Sequence, residues 1–318
     1  MRSTDASQLV YWGLCVAFLL FYFSCAGAGI QQPVGEISYS ADKDGEIWFR
    51  HSRMQLRFDN EMYCRVFLKK DRQLLSINDI PPDPAKAKPP HYLEIEGTEL
   101  KDFQLDSRNI GVSEMKTPFG TGKVLQMTGL AKTPSGIEIQ KDLTIEFYQE
   151  YPEIALLVAT YRNLEPTRPI QITRVVNNFF RLDSTRTQSR KPPFAFTAVL
   201  GQPDSNGTNI FQITRANFGR TFEISSDNLN EFRSVPILDV WNSEMGMATG
   251  DVLTQPRTLL LSVRVAPDQK LEISTQSTIA QELRPGEALV MPKNFWMVHD
   301  GGMSKAFEKY SALLASAK

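Results

Sequence analysis

Between Ile137 and Phe147 the odd positions are apolar except at Lys141, while Glu138, Gln140, Asp142, Thr144 and Glu146 between them are polar. A period of two is that of a strand with one face buried and the other in water. The next run, Ile154 to Val158, is apolar at every position, which suits a strand covered on both faces. His91 to Asp183 holds further long runs, YLEIEG, LKDFQLD, GKVLQMTGLAK and IQITRVVNNFF, and Gly35 to Ile77 holds the shorter GEISYS, EIWFR, MQLRFD and MYCRVFL. They are rich in β-branched and aromatic residues and are separated by charged or Asp, Gly and Asn turns, so they read as strands. No helical pattern long enough for a crossover lies between the long strands. They are therefore expected to pair antiparallel and stack as two sheets rather than form βαβ units. One helical period runs from about Gly302 to Ser316, where Met303, Phe307, Tyr310 and Leu314 fall on one stripe. That stripe packs the helix on a sheet.

Punctuation divides the chain. Leu9 to Ser24 is an apolar run preceded by Arg2 and followed by Ala26-Gly27-Ala28, the three parts of a secretory signal peptide. It is short for a bilayer span, which needs roughly 20 apolar residues. Cleavage after Ala28 and export to the periplasm or the exterior are expected, with an uncleaved membrane anchor or lipidation at Cys25 as alternatives. Ile80 to Pro90 carries five prolines in eleven residues, which removes backbone donors and blocks both helix and central strand. The expected organisation is a signal peptide at 1–28, N-terminal strands and a proline-rich loop at 29–90, and the main sheets with the closing helix at 91–318. Asp183 to Arg233 is more irregular, with PFAFTAVL, NIFQITR and RTFEIS as strands between polar loops. Asn206-Gly207-Thr208 within it reads as a turn, or as a glycosylation sequon in a host that glycosylates.

Composition narrows the function classes. A formal net charge of −1 supplies no field to attract nucleic acid or an anionic membrane. Cys15 and Cys25 lie in the leader, which leaves Cys64 without an internal disulfide partner. In MYCRVFL it reads as a small buried side chain. Gly120-Thr121-Gly122-Lys123 does not make a phosphate loop, because Thr117 stands at the first glycine position and Val124 at the hydroxyl position. Gly111-Val112-Ser113-Glu114-Met115 lacks the second glycine of a nucleophile elbow. His51, His91 and His299 have no ligand spacing. No metal site and no cofactor is expected.

The stretch from Ser234 to Tyr310 carries more specific information. Val235-Pro236 leads into Asp239 and Trp241, then come Gly246 and Gly250-Asp251, Leu283-Arg284-Pro285-Gly286-Glu287, Met291-Pro292, and His299 with Gly301 before a helix ending near Tyr310. In that order these features resemble the end of the N-terminal β-supersandwich domain of family 36 α-galactosidases, in the melibiase clan. Ile137 to Val175 resembles the same family's succession of strand, acidic turn and strand. The resemblance implies a mostly β fold, an antiparallel β-supersandwich of galactose-mutarotase-like type with a C-terminal helix. It also implies work on α-linked galactosides. In that family a (β/α)8 barrel follows and holds both catalytic aspartates, a nucleophile and an acid/base about 5 Å apart. No segment here matches their motifs, so no catalytic residue is assigned and the enzyme class rests on the family alone. The family often follows this histidine with Gly-Asp, whereas Asp300 and Gly301-Gly302 follow His299 here.

Candidate residues for carbohydrate binding, or for an interface, are Asp239, Trp241, Glu244, Trp296 and His299. Trp241 and Trp296 are aromatic faces able to cover a pyranose, or else core residues. Asp239 and Glu244 flank Trp241 as acids near an aromatic, and His299 beside Asp300 orients a loop. The function expected is that of an exported, carbohydrate-related domain of an α-galactosidase-type glycoside hydrolase, non-catalytic alone. Its partners would be an α-galactoside-like carbohydrate or a separately encoded barrel, with a homo-oligomer also open and no nucleic acid. The alternatives are a free-standing carbohydrate-binding module, or a mutarotase- or lyase-like enzyme with its site on the supersandwich.

Overall fold

The computed structural model describes residues 36–42, 45–81, 87–182, 196–201, 210–225, 237–252, 259–268 and 270–316. The expected leader, the centre of the proline-rich stretch, the Asn206 sequon and the expected irregular stretches at 183–195 and 226–236 lie outside these residues. Glu36–Lys318 is one compact unit.

Three antiparallel sheets build it. The first is a meander in chain order, β1 (Ser38–Ala41), β2 (Ile47–Arg50), β3 (Met54–Phe58), β4 (Cys64–Lys70) and β5 (Gln73–Ser76). The next strands in the chain are β6 (Tyr92–Ile95), β7 (Thr98–Leu100), β8 (Gln104–Thr117), β9 (Gly120–Lys132), β10 (Glu138–Tyr148), β11 (Ile154–Asn163) and β12 (Ile170–Leu182). Then follow β13 (Phe196–Leu200), β14 (Ile210–Ile213), β15 (Thr221–Ser225), β16 (Ile237–Trp241), β17 (Gly246–Asp251), β18 (Leu260–Val265), β19 (Leu271–Leu283), β20 (Ala288–Val290) and β21 (Asn294–His299). They sort into a ten-stranded sheet, β14-β13-β16-β17-β21-β11-β10-β9-β8 with β20 beside β11, and a six-stranded sheet, β15-β18-β19-β12-β6-β7. One α-helix, α1 (Met303–Ser316), follows β21.

The alternation from Ile137 to Phe147 becomes β10, whose odd residues point into the main core. Lys141 is turned the same way and is buried with them. That core takes side chains from all three sheets, including Phe49 of β2 stacked on Phe147 at 4.7 Å between ring centroids. The sheet before the proline-rich stretch and the sheets after it therefore share one apolar interior.

A second, smaller core lies on the other face of the ten-stranded sheet, where Ala306, Tyr310 and Leu313 of α1 meet Ile154, Leu156, Phe295 and Met297. β11 thus has Leu157 and Ala159 in one core and Ile154 and Leu156 in the other, which is why its first half, Ile154 to Val158, shows no polar position. Tyr310 adds a polar tie, its hydroxyl donating to the Asp251 carbonyl at 2.9 Å. Cys64 is buried, and burial pushes its thiol well up.

Not every strand was visible in the pattern. β8 runs on to Thr117 as a sheet edge with most of its residues exposed or half-exposed, so no apolar face marks it.

Candidate functional site

Asp239, Trp241 and His299 come together where β16, β17 and β21 lie side by side. Leu238 and Val240 enter the main core and Ile237 the smaller one, so Asp239 and Trp241 share the helix-side face of the ten-stranded sheet. On β21, Phe295 and Met297 mark the same face, and His299 continues it. Nε2 of His299 and Oδ1 of Asp239 share a hydrogen bond of 2.9 Å. Gly246 of β17 sits opposite His299, and a Cβ there would overlap the imidazole ring. The absent side chain is what lets the ring lie across the sheet to reach Asp239.

This pair is not open to a ligand. The side chains of His299 and Asp239 are 1% and 0% exposed. Burial raises the Asp239 carboxyl above its ordinary range, and the His299 hydrogen bond only partly opposes it. Trp241 is also buried, at 8% exposure. Glu244 belongs to the β16–β17 turn, where its N–H and that of Met245 donate to Asn242 Oδ1 at 2.8 and 3.0 Å. Lys70 donates to the Glu244 carbonyl at 3.4 Å.

Trp296, expected as a surface platform or a core residue, is a core residue. It is 0% exposed and points between the ten- and six-stranded sheets. One face of its indole stacks on His91 at 5.4 Å, and Phe180 meets it edge-on at 5.0 Å. Its Nε1–H donates to Asn178 Oδ1 at 2.5 Å, and Asn178 Nδ2 donates to Thr275 Oγ1 at 2.6 Å. A tryptophan so enclosed stitches two sheets and cannot stack on a sugar. Nearby, Lys141 Nζ donates to the His91 carbonyl at 3.2 Å and lies 4.6 Å from the centre of the Phe103 ring. Burial pulls its pKa down to about 7, and burial together with the Lys141 charge holds His91 near 3.

An accessible polar concavity lies elsewhere. On the outer face of the six-stranded sheet an open groove of about 610 Å³ is lined by Lys88, Arg174, Arg181, Arg264, Asp268 and Glu272, with Tyr92 and Phe179 among its apolar residues. Alternation explains most of it: Ile273 of β19 and Val263 of β18 point into the core, so Glu272 and Arg264 point out. β12 needs a further device. An extra residue, Asn177, breaks its register against β19 between Val176 and Asn178. Arg174 before the bulge and Phe179 and Arg181 after it thereby line the same groove.

Each cation in the groove faces an acid. Arg174 binds Glu94 at 2.7 Å and Glu99 at 3.5 Å, and Lys88 binds Glu99 at 2.7 Å. Arg264 pairs with Glu272 at 3.5 Å, and Arg181 with Asp268. Arg174 also donates to Gln276 Oε1 at 3.3 Å, and Ser262 donates to Glu223 at 3.1 Å. Lys88 Nζ lies over the Tyr92 and Phe179 rings, 5.3 and 5.8 Å from their centres. Among the described residues no acceptor meets the buried Nε of Arg174 or of Arg181.

No protein-family model matches the sequence, and no curated protein matches it. Solved structures do. The galactosidase domain of α-galactosidase-sucrose kinase AgaSK superposes with a TM-score of 0.61 at 9% identity, covering 86% of this chain and 43% of that one. The α-galactosidase AgaB of Geobacillus stearothermophilus gives 0.56 at 11% identity, over 84% and 41%. The α-galactosidase of Lactobacillus brevis gives 0.55 at 9%, over 89% and 42%. The chain therefore has the β-supersandwich fold found in family 36 α-galactosidases and spans about two fifths of the length of those chains. Among the described residues there is no (β/α)8 barrel: they form three antiparallel sheets and one α-helix.

Proposed function

We propose that this chain is the β-supersandwich part of an α-galactosidase-type glycoside hydrolase, and that it handles carbohydrate without cleaving it. The observation that supports this is the fold: 84–89% of the chain superposes on three α-galactosidases, while over half of each of those chains has no counterpart in it. Retaining hydrolysis needs two carboxyl groups about 5 Å apart and open to the glycosidic oxygen. Asp239, the acid of the candidate cluster, is buried against His299 instead. Its role in this reading is to hold β16 and β21 in register before the turn into α1.

The domain works on galactosides outside the cytoplasm, beside a catalytic barrel or as a binding module. Two measurements on the purified protein test this together. Calorimetry with galacto-oligosaccharides is expected to give saturable heat, and an aryl α-galactoside is expected to release no phenol above background. Turnover that persists through repurification and is lost in Asp239→Asn would overturn the non-catalytic assignment. A flat titration with every galactoside would overturn the carbohydrate assignment.

A further inference from the structure

The groove on the outer face of the six-stranded sheet is lined mostly by residues that point away from the main core, on strands whose other residues build that core. We propose that it is a binding site for a neutral, polyhydroxylated ligand, a saccharide of the kind the reading above requires and on which this assignment rests.

Three features carry the chemistry. The first is charge balance. Lys88, Arg174, Arg181 and Arg264 are answered by Glu94, Glu99, Asp268 and Glu272. Glu223 stands one hydrogen bond further along at Ser262. An anionic ligand would meet a carboxylate beside every guanidinium, and a cationic ligand the reverse. A ligand carrying hydroxyls meets neither repulsion.

The second feature is the placement of donors next to acceptors. A guanidinium has five N–H donors in a fixed fork and a carboxylate has about four lone-pair sites, so a single ion pair leaves most of both unused. In the Arg264–Glu272 pair the side chains are 55% and 21% exposed and the contact is 3.5 Å. The free edge of such a pair offers a donor and an acceptor side by side. That is the complement of two neighbouring hydroxyls on a pyranose, each of which donates and accepts. Among the described residues no acceptor meets the buried Nε–H of Arg181 or of Arg174, a condition that costs about 1–3 kcal/mol for each group left unpaired.

The third is shape and floor. At about 610 Å³ the groove falls within the range of small-ligand sites, roughly 300–1,000 Å³. It is open along the sheet, so a chain of sugars can lie across it. Its floor has the Tyr92 and Phe179 rings under the Lys88 ammonium, where the lysine takes the place on the aromatic faces that an unliganded platform would leave to water.

The test is calorimetric titration of the purified protein and two variants with a neutral galacto-oligosaccharide and with a galacturonate oligomer of equal length. Arg264→Gln and Glu272→Gln each remove one half of a surface pair, so both fold, which thermal melting verifies. The neutral ligand is expected to bind with an affinity indifferent to salt. Each variant is expected to bind it about tenfold more weakly, the loss of one charge-assisted hydrogen bond. Arg168→Gln, at an exposed pair with Glu165 outside the groove lining, is expected to bind as the parent does. Neutral binding that survives both groove variants would overturn the site while leaving the proposed function standing. Salt-sensitive preference for the galacturonate would overturn the neutral class. Failure of the parent to bind any saccharide would overturn this proposal and the carbohydrate reading together.

Discussion

Replacing Lys141 with methionine should remove a pH dependence of stability that the parent protein carries. The lysine side chain is 1% exposed, and among the described residues its ammonium donates to the His91 carbonyl and has the Phe103 ring beneath it. Burial brings its folded-state pKa to about 7, whereas an unfolded lysine titrates near about 10.4. Between these values the unfolded chain binds the proton and the folded one does not, so unfolding takes up a proton and stability rises with pH. Below the folded value both states are protonated and the full desolvation cost is present; above the unfolded value it has gone. Integrating across the window from about pH 7 to about pH 9 gives a gain of about 2 kcal/mol for the parent. Methionine keeps the unbranched chain and has no charge to desolvate, so Lys141→Met should show no such gain. His91 does not confuse the result, because it is held near 3. The assay is urea unfolding of both proteins at several pH values, reading the difference in stability so that titrations common to both cancel. Parallel stability curves across the window would show that the ammonium is solvated or paired in the folded protein, and the reasoning would fail.

Gly246→Ala places a methyl group in the His299 ring and should destabilise by about 1–3 kcal/mol, the usual cost of overpacking, seen as a lowered melting temperature; an unchanged melt would mean that the ring does not cross the sheet. Asn178→Ala leaves the Trp296 N–H buried without its acceptor and should cost about 1–3 kcal/mol. Adding Trp296→Phe to it removes the orphaned donor, so the two losses should be less than additive in a double-mutant cycle; strict additivity would deny the hydrogen bond. Export is expected to yield a product beginning at Gly29, and mass spectrometry finding an intact Met1 or a lipid on Cys25 would replace this with an anchored form.

The parts of the fold that were legible in the sequence are those decided by local period. Ile137 to Phe147 alternates and becomes β10 with its odd residues inward. Ile154 to Val158 has no polar position and becomes the strand between the main core and the helix-side core. The stripe from Met303 to Leu314 becomes α1, although Tyr310, Leu313 and Ala306 are the residues it buries deepest. Local period has nothing to say where a strand is covered on both sides. Asn294 to His299 is buried at every position, so nothing in its pattern distinguishes the face of Trp296 from the face of His299. Whether Trp296 faces a ligand or the core therefore stayed open in the sequence. Asp239 and His299 were separately visible, but their pairing depends on β17 lying between β16 and β21, and strand order is not a local property.

The groove was hidden for a sharper reason. Its residues come from β6, β12, β18 and β19 and from the segments beside them, so they are scattered from Lys88 to Gln276. Counting by twos along β12 from Arg174 turns Arg174, Val176 and Phe180 to one side and Val175, Phe179 and Arg181 to the other. The structure contradicts that count at Asn177, where one extra residue shifts the register against β19. Val175 and Phe180 enter the main core together, and Arg174, Phe179 and Arg181 emerge together. A bulge costs a strand part of its ladder and is used where a side chain has to be re-aimed. Here the re-aimed side chains are an aromatic and an arginine of the groove, and the same irregularity sets Asn178 inward to receive the Trp296 N–H. One inserted residue thus ties the interior of the sandwich to the shape of its outer face, so deleting Asn177 should disturb both, lowering the urea midpoint of unfolding and abolishing saccharide heat in the same sample. Loss of one without the other would show that the bulge serves only the core or only the groove.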